Sequence, residues 1–302
     1  MVTTVGISLP HDAVVGPERR AVLDRVAAAG LDGLTVGDHI SFHGGTGFDG
    51  IVSATSVLAA RDDLDVLIGV YLLGLRHPML AARQIATLAE LAPGRLVLGA
   101  GVGGEDRNEI SNAGVDPASR GRRLDETLGL LRQLLTGAPV THHGEFFDLV
   151  DAVIFPPPAP AVPIVIGGTS PSAIRRTAKY GDGWLGIFCS ARRLAATRTE
   201  ILEQAAGLGR APDWFGVNIW CGIDPDPGRA RELLAAKLEG MYRLPYEKFQ
   251  YIAPAGTPEQ IAEFAAAFVA GGAGHVTLIP VAGTVTDSID LSAEVRRLLV
   301  AG

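Results

Sequence analysis

The sequence is poor in cysteine, in basic clusters and in long apolar runs. Its 302 residues include two cysteines, Cys189 and Cys221, too few for a disulfide framework, so we expect a reducing, cytoplasmic setting. No apolar run reaches the roughly 18 residues that a membrane span requires, and Met1 leads directly into a strand-like segment rather than a signal peptide. A net charge of −7 without any basic run argues against a nucleic-acid partner. These absences predict a soluble intracellular protein.

What the sequence does contain is a regular alternation of strand-like and helix-like segments. The predicted strands are 2–9, 34–37, 64–73, 95–98, 163–166, 183–187, 215–221 and 276–280. The predicted helices are 17–29, 53–60, 78–91, 119–135, 171–180, 191–207, 228–241, 258–270 and 291–299, several of them opened by proline or closed by glycine. Eight short apolar strands that mostly alternate with helices predict an α/β protein of the (β/α)8 TIM-barrel class.

Two irregular stretches interrupt this alternation. Residues 138–162 combine a hairpin, expected at 140–149, with a cluster of prolines that can continue neither a helix nor an interior strand. Residues 242–256 form the second insertion. Because no other region has a distinct composition, we predict a single domain over residues 1–302. A doubly wound sheet is the alternative architecture.

The stretch 94–112 carries a short apolar strand, a glycine-rich loop and then a polar run. Gly99, Gly101 and Gly104 match the G-x-G-x-x-G spacing of a dinucleotide-binding fold. That fingerprint belongs in a first βαβ unit and is followed, about 20 residues on, by an acid that ends a strand. Here the acids at that distance fall inside a predicted helix. The glycines therefore favour a backbone that approaches a ligand closely over a dinucleotide fold.

Polar residues follow several of the predicted strands. Residues 38–39 end the second strand, 101–109 follow the fourth, 167–170 the fifth and 189–190 the sixth. In a (β/α)8 barrel the carboxyl ends of the strands surround one mouth, where functional residues gather. We therefore expect these polar tips to form one site.

The tip at 167–170, Gly-Gly-Thr-Ser, runs into a helix opened by Pro171, with Arg175 and Arg176 one turn further on. Amides at a helix N-terminus, flexible glycines and hydroxyl groups together suit a bound phosphate. An ordinary loop in which Ser170 caps the helix explains the same residues. Both interpretations stay open on the sequence.

Several further polar residues have a chemical and a structural interpretation. His39 suits a general acid or base because its ordinary pKa lies near neutrality, or it simply hydrogen-bonds its neighbour. His142 and His143 are adjacent on a strand and point to opposite faces, which indicates a solvated hairpin rather than a metal site. The charged run 120–126 is typical of a solvated helical face with i,i+3 pairs. Cys189 is expected to act as a small apolar group.

Taken in order, several motifs resemble the bacterial luciferase-like superfamily. They are residues 38–39, 67–70 leading to 75–78, 94–101, 120–126, the proline-rich approach to 163–168, and 181–184. The resemblance covers roughly residues 2–190. It implies a TIM barrel with insertions, a homodimer, and either reduced FMN or the deazaflavin coenzyme F420 as cofactor.

Within that superfamily the sequence looks most like the coenzyme F420-dependent oxidoreductases, which implies hydride transfer between the deazaflavin and a small organic substrate. His39 matches the histidine implicated in catalysis, and Glu105 matches the glutamate after the glycine-rich loop. One inserted residue, Gly104, leaves Glu109 as a rival for that role. The tryptophan expected shortly after the histidine is absent, with Phe42 nearby. The residues that the resemblance places around the cofactor are Asp38, Gly69, Val70, Tyr71, Gly101, Val102, Gly103, Gly104, Asn108, Gly167, Gly168, Thr169, Ser170, Cys189 and Ser190.

Two other functions remain open on the sequence. One is an FMN-dependent monooxygenase that uses O2 and receives reduced flavin from a partner reductase. The other is a cofactor-binding protein without catalysis. The helices at 53–60 and 78–91 have apolar surfaces compatible with a homodimer, and residues 40–48 and 242–256 are expected to contribute to the pocket for a small-molecule substrate.

Overall fold

The computed structural model describes residues 3–103 and 106–301. In chain order its strands are β1 (Thr4–Ile7), β2 (Gly33–Val36), β3 (Asp65–Tyr71), β4 (Leu96–Ala100), β5 (Val140–His143), β6 (Asp148–Ala152), β7 (Ile164–Gly167), β8 (Gly183–Ile187), β9 (Trp214–Ile223), β10 (Ala255–Gly256) and β11 (His275–Val281).

The α-helices, also in chain order, are α1 (His11–Val15), α2 (Arg19–Ala28), α3 (Gly50–Leu58), α4 (Pro78–Leu91), α5 (Arg107–Asn112), α6 (Arg120–Leu134), α7 (Pro171–Tyr180), α8 (Ala191–Ala206), α9 (Pro227–Tyr242), α10 (Pro258–Ala270) and α11 (Val285–Ala301). Short 3-10 turns occupy Leu73–Leu75 and Tyr246–Lys248.

Proline begins four of these helices: α4, α7, α9 and α10. A proline at this position has its φ already set for a helix and lacks an N–H that would have no partner there. Side-chain caps stabilise the N-termini of two of these helices. Ser170 accepts the Ala173 amide ahead of α7, and Thr257 forms a capping box with Gln260 at α10. The predicted bounds 78–91, 171–180 and 258–270 are confirmed to the residue.

The chain divides into two compact units, residues 1–35 with 184–302, and residues 36–183. In the first unit β1 pairs with β2 and β11, and β9 pairs with β11 and the short β10, all in parallel. Its interior includes polar contacts: the hydroxyls of Thr35 and Thr277 lie 2.7 Å apart, and His275 Nε2 lies 3.0 Å from Thr277 Oγ1. Burial lowers the pKa of His275 to about 4, so this ring is neutral near pH 7.

In the second unit β4 pairs in parallel with β3 on one side and β7 on the other. The register of β3 shifts between Ile68 and Tyr71, which marks a bulge near its carboxyl end. Strands β5 and β6 form an antiparallel hairpin, as predicted for residues 140–149, with the second strand extending to Ala152.

The fold is the predicted (β/α)8 barrel, because the strand order is closed by the pairing of β8 with β9. The barrel strands, which alternate with helices, are β1, β2, β3, β4, β7, β8, β9 and β11. Each of these strands overlaps one of the predicted segments. The doubly wound alternative is thereby excluded. The division into two compact units does not test whether residues 1–302 form a single domain with insertions at 138–162 and 242–256. That organisation stays a prediction.

The structure differs from the sequence predictions in two helices, in part of the charged run 120–126 and in the surroundings of His142. Helices α1 and α5 lie in segments without a predicted helix. The charged run 120–126 is solvated only in part. Arg122 is exposed, but Glu126 accepts from His142 Nε2 and from the Phe147 amide, both at 3.0 Å, and the Arg123 guanidinium lies 4.5 Å from the Phe147 ring. His142 is consequently held by helix α6, and the β5–β6 hairpin is anchored rather than merely solvated.

Among residues 3–103 and 106–301, no helix combines the length and the apolar character that crossing a membrane requires. In the same ranges, no three His, Cys, Asp or Glu side chains are grouped so that they could hold a metal ion.

Candidate active site

The tip of β2 carries a histidine that is held by a buried glutamate. His39 Nδ1 lies 3.1 Å and 3.2 Å from the two carboxylate oxygens of Glu109. Glu109 is only 2% exposed, and its Oε1 also accepts the amides of Ile40 at 2.7 Å and Ser41 at 3.1 Å. The His39 side chain is 38% exposed, so the ring is partly accessible while its Nδ1 is occupied by Glu109. This is the arrangement of a histidine oriented by a carboxylate.

Helix α5 supplies that glutamate, and Asp106 is the residue that caps the N-terminus of this helix. Asp106 Oδ1 accepts the Asn108 amide at 2.9 Å, and Oδ2 accepts the His43 amide at 2.9 Å. The hydrogen bond from the His43 amide, with those from Asn108 and Glu109, lowers the pKa of Asp106. Asp106 and Glu109 are three residues apart, the spacing of a capped helix start. That spacing was the sequence signal for α5, and it was missed.

The segment after His39 forms a tight loop held against α5. Phe42 lies between two histidine rings, with centroid distances of 4.4 Å to His39 and 4.1 Å to His43. The backbones of Phe42 and Thr46 bond to each other in both directions. Gly44, within this turn, has a φ of +100°, which glycine adopts without strain. An aromatic ring therefore lies directly beside the candidate catalytic histidine.

Asp38 precedes His39 and faces inward. Its side chain is fully buried and accepts the amides of Gly50 at 2.9 Å and Leu72 at 2.8 Å. The guanidinium of Arg76 bridges both carboxylate oxygens at 2.7 Å and 2.8 Å. Burial raises the pKa of Asp38, and the charge of Arg76 opposes that rise. The resemblance predicts Asp38 as a cofactor residue, but its carboxylate contacts protein groups.

Glycines of β4 and β7 make room for the bulge in β3. The peptide between Gly69 and Val70 is cis. A Cβ at Gly101 would lie 2.5 Å from Val70 Cγ2, and a Cβ at Gly167 would lie 2.9 Å from Val70 Cγ1. A Cβ at Gly99 would lie 2.3 Å from the Ile68 carbonyl oxygen. Larger residues at these positions would displace the bulge, so the glycines serve its packing in addition to any ligand.

The tip of β7 forms the candidate phosphate cradle, which we define as residues 167–172. Gly168 has a φ of +107°, and Ser170 Oγ accepts the Ala173 amide at 3.2 Å. Residues 168–172 are exposed. Arg175, also exposed, donates to Ser172 Oγ at 3.0 Å. The cradle therefore presents hydroxyl groups and one guanidinium at the N-terminus of α7, which is a favourable site for an anion.

The second arginine of α7 has a different role. Arg176 is 7% exposed and donates to Asp125 Oδ1 at 2.6 Å and to the Gly121 carbonyl at 3.2 Å. A guanidinium committed to these partners links α7 to α6. Arg175 is thus the arginine of this pair that is available at the cradle.

The remaining predicted site residues fall into three groups. Gly103 has a φ of +64°, Val102 is half-buried, and Asn108 is exposed on α5. Gly104 and Glu105 lie outside the described residues. In the other unit, Cys189 is buried, with its thiol pKa raised to about 11 by burial, and Ser190 Oγ accepts the Arg193 amide at 3.2 Å. The prediction that Cys189 acts as a small apolar group agrees with that burial.

The aromatic residues expected in a substrate pocket at 242–256 are partly structural. Tyr246 and Phe249 belong to a buried cluster with Leu234 and Leu238 of α9, and Tyr246 Oη donates to the Ala253 carbonyl at 3.1 Å. Tyr251 is 82% exposed. Packing within the insertion therefore accounts for Tyr246 and Phe249.

The fold and these residues define a class of protein: a (β/α)8 barrel with a carboxylate-held histidine after β2, a bulged β3, and a candidate phosphate cradle after β7. The sequence model of the luciferase-like monooxygenase family matches residues 9–257. The chain belongs to that family.

Comparison with known proteins adds detail. The chain is 32% identical over 231 residues to the F420-dependent glucose-6-phosphate dehydrogenase of Beutenbergia cavernae, covering 73% of this chain and 68% of that one. Among solved structures, an F420-dependent secondary alcohol dehydrogenase bound to an F420–acetone adduct matches with a TM-score of 0.86 at 21% identity, covering 99% of both chains. The FMN complex of a type II Baeyer–Villiger monooxygenase from Pseudomonas putida matches with a TM-score of 0.73 at 17% identity, covering 99% of this chain and 98% of that one.

Proposed function

We propose that the protein is a coenzyme F420-dependent oxidoreductase that moves a hydride between the deazaflavin and a small organic substrate. The observation that carries the proposal is the His39–Glu109 pair, in which Nδ1 is held at 3.1 Å and the ring stays accessible. The glucose-6-phosphate dehydrogenase relative, which is named for its F420 dependence, supports the choice of cofactor.

The residues present fit a phosphate-bearing cofactor with a planar ring. The cradle, residues 167–172 with Arg175, offers the hydroxyl and guanidinium donors that a phosphate needs. The bulge at Gly69, Val70 and Tyr71, with Gly101, Val102 and Gly103, would take the ring. Asn108, Thr169, Cys189 and Ser190 are proposed as further cofactor contacts on resemblance alone, as are Gly104 and the acid Glu105.

The chemistry divides between the cofactor and the chain. When bound, the deazaflavin supplies or accepts the hydride. Oxidation of an alcohol removes a hydride from carbon and a proton from oxygen, and His39 Nε2 would take that proton. Glu109 would stabilise the imidazolium through Nδ1. Reduction of a carbonyl reverses both transfers, and His39 then returns the proton to oxygen.

A titration of the purified protein with F420 and with FMN tests this proposal, with binding followed by fluorescence. We expect the protein to prefer F420. Preference for FMN would favour the main alternative, an FMN-dependent monooxygenase that uses O2 and a partner flavin reductase, which the monooxygenase family and the FMN-bound neighbour support. Tight binding without turnover of any alcohol, carbonyl or sugar phosphate would favour a non-catalytic cofactor-binding protein.

We also propose that the protein acts as a homodimer in the cytoplasm. Exposed apolar side chains on α3 and α4 support an interface, with Val52 65%, Leu80 67% and Leu91 49% exposed. The two cysteines are free and buried, which suits a reducing compartment. Light scattering on Leu80→Glu tests the dimer: we expect a monomer, and an unchanged mass for this variant would contradict the proposed interface.

A further inference from the structure

We propose that Arg76 is a positioning residue of this site and acts through Asp38. Its two terminal guanidinium nitrogens pair with the two carboxylate oxygens of Asp38. This bidentate ion pair fixes the segment that carries His39 and the segment that follows the β3 bulge. The inference rests on the proposed function, which supplies the reaction that this positioning would serve. Its geometry comes from contacts within residues 36–183.

The Asp38 carboxylate is saturated by protein donors. Oδ1 accepts the Gly50 amide at 2.9 Å and Arg76 Nη2 at 2.8 Å. Oδ2 accepts the Leu72 amide at 2.8 Å and Arg76 Nη1 at 2.7 Å. A carboxylate has about four acceptor sites, and all are occupied here in a fully buried side chain. Asp38 is therefore a poor candidate for the direct cofactor contact that the resemblance predicts.

The Arg76 guanidinium contacts four protein groups. Besides Asp38, it donates to the Leu72 carbonyl at 3.1 Å and approaches Asp49 Oδ2 at 3.3 Å. Its Cζ lies 4.3 Å from the centre of the Tyr71 ring, within the range of a cation–π contact. The Arg76 side chain is only 15% exposed. Water therefore screens its charge little, and its position is set by these protein contacts.

These contacts tie together three segments that bear on the site. Asp38 is adjacent to His39 in the chain, Gly50 is the first residue of α3, and Leu72 directly follows the bulged end of β3. The planar fork of an arginine can grip both oxygens of one carboxylate, whereas the single ammonium of a lysine cannot reproduce that geometry. Arg76 is thus the group that sets how the β2 tip and the β3 bulge lie relative to each other.

The test compares Arg76→Lys, Arg76→Met and Asp38→Asn with the wild type, and uses Arg122→Met as the matched control. Arg122 pairs with Glu145 on the surface, where the side chains are 64% and 54% exposed, and it contacts no site residue described above. Three properties are measured: amide hydrogen exchange at Gly50 and Leu72 in the cofactor-free protein, the Kd for F420, and kcat and KM for the substrate.

For Arg76→Lys, which keeps the charge and is expected to fold, we expect faster exchange at both amides and a weaker Kd for F420. We expect kcat to fall by roughly 100-fold, the scale of a misplacement of about 1 Å in a reacting group, with little change in substrate KM. Arg122→Met is expected to match the wild type in all of these measurements.

The pH dependence of Arg76→Met gives a second readout. Removing the guanidinium takes away the charge that opposes burial, so the pKa of Asp38 rises further above its ordinary value. A buried acid whose folded pKa exceeds its unfolded pKa binds more protons when folded, so stability falls as pH rises through that window. The urea midpoint of Arg76→Met should therefore fall, relative to that of the wild type, as the pH rises above the ordinary pKa of an aspartate, and adding Asp38→Asn should abolish this slope.

The outcomes separate this inference from the proposed function. If Arg76→Lys exchanges faster at Gly50 and Leu72 but keeps wild-type Kd and kcat, the residue is merely structural and the inference is overturned. Unchanged exchange at both amides also overturns it. If the wild type binds FMN instead of F420, the proposed function fails, and the Kd for FMN takes the place of the Kd for F420: faster exchange with a weaker Kd supports the inference, and an unchanged Kd overturns it.

Discussion

The two buried acids of this site, Asp38 and Glu109, are alike in their setting and differ in their partner. Each is almost inaccessible to solvent and accepts two backbone amides. Asp38 faces the guanidinium of Arg76, whereas Glu109 faces the imidazole of His39. The partner, rather than the burial, therefore decides what each acid can do.

An arginine keeps its charge throughout the physiological pH range, so its pair with Asp38 does not change during a reaction. A histidine changes charge near neutrality, so a carboxylate beside it can stabilise a proton that arrives or leaves. The comparison assigns Asp38 to positioning and Glu109 to the chemistry of His39.

The largest expected effect is on stability, in Asp38→Asn. The substitution leaves Arg76 charged, buried and without its main counter-charge, and losing one partner of a buried ion pair costs about 3–5 kcal/mol. Urea denaturation of the cofactor-free protein measures this loss. A loss no larger than that of Glu109→Gln would break the distinction between the two acids.

The next effect is on turnover, in His39→Ala. Removing a general acid or base should lower kcat roughly 100-fold or more. The substitution also takes the imidazole partner from the buried Glu109 carboxylate, so turnover is compared per folded protein. Steady-state kinetics with saturating cofactor check this. Turnover within a few-fold of the wild type would remove His39 from the mechanism.

A smaller effect on turnover is expected for Glu109→Gln. Glutamine still offers one oxygen to the amides of Ile40 and Ser41 but carries no charge to stabilise an imidazolium. Because His39 itself remains, we expect kcat to fall by about tenfold, less than the roughly 100-fold loss expected for His39→Ala. If Glu109→Gln keeps full activity, then Glu109 only shapes the loop.

The smallest effect is expected for Arg122→Met. Its pair with Glu145 is an exposed ion pair, and such pairs add little to stability. The urea midpoint and kcat should both match the wild type within error. A clear loss of activity would show that charge on α6 affects the site in a way that the contacts described above do not explain.

The sequence predicted the barrel well because its signals are local. Prolines mark the starts of α4, α7 and α10, and short apolar runs mark the strands. The candidate tips at 38–39 and 167–170 followed from the rule that barrel sites lie at strand ends. These parts depend on neighbours in the chain.

The features of the site that the sequence did not predict depend on contacts between residues that are far apart in the chain. Glu109 meets His39 across 70 positions, and spacing alone could not choose between Glu105 and Glu109. Arg76 meets Asp38 across 38 positions, so a carboxylate assigned to the cofactor is found with a protein partner. The acids of α6 looked solvated because their partners, Arg176 and His142, come from other elements of the chain.

The most direct test of the central claim is an anaerobic assay of the purified protein with F420 and a panel of secondary alcohols and sugar phosphates. We expect at least one substrate to be oxidised, with one equivalent of F420 reduced per carbonyl formed, in the absence of O2 and of any reductase. Oxidation that occurs only with FMN, a reductase and O2 would contradict the account and identify the protein as a monooxygenase.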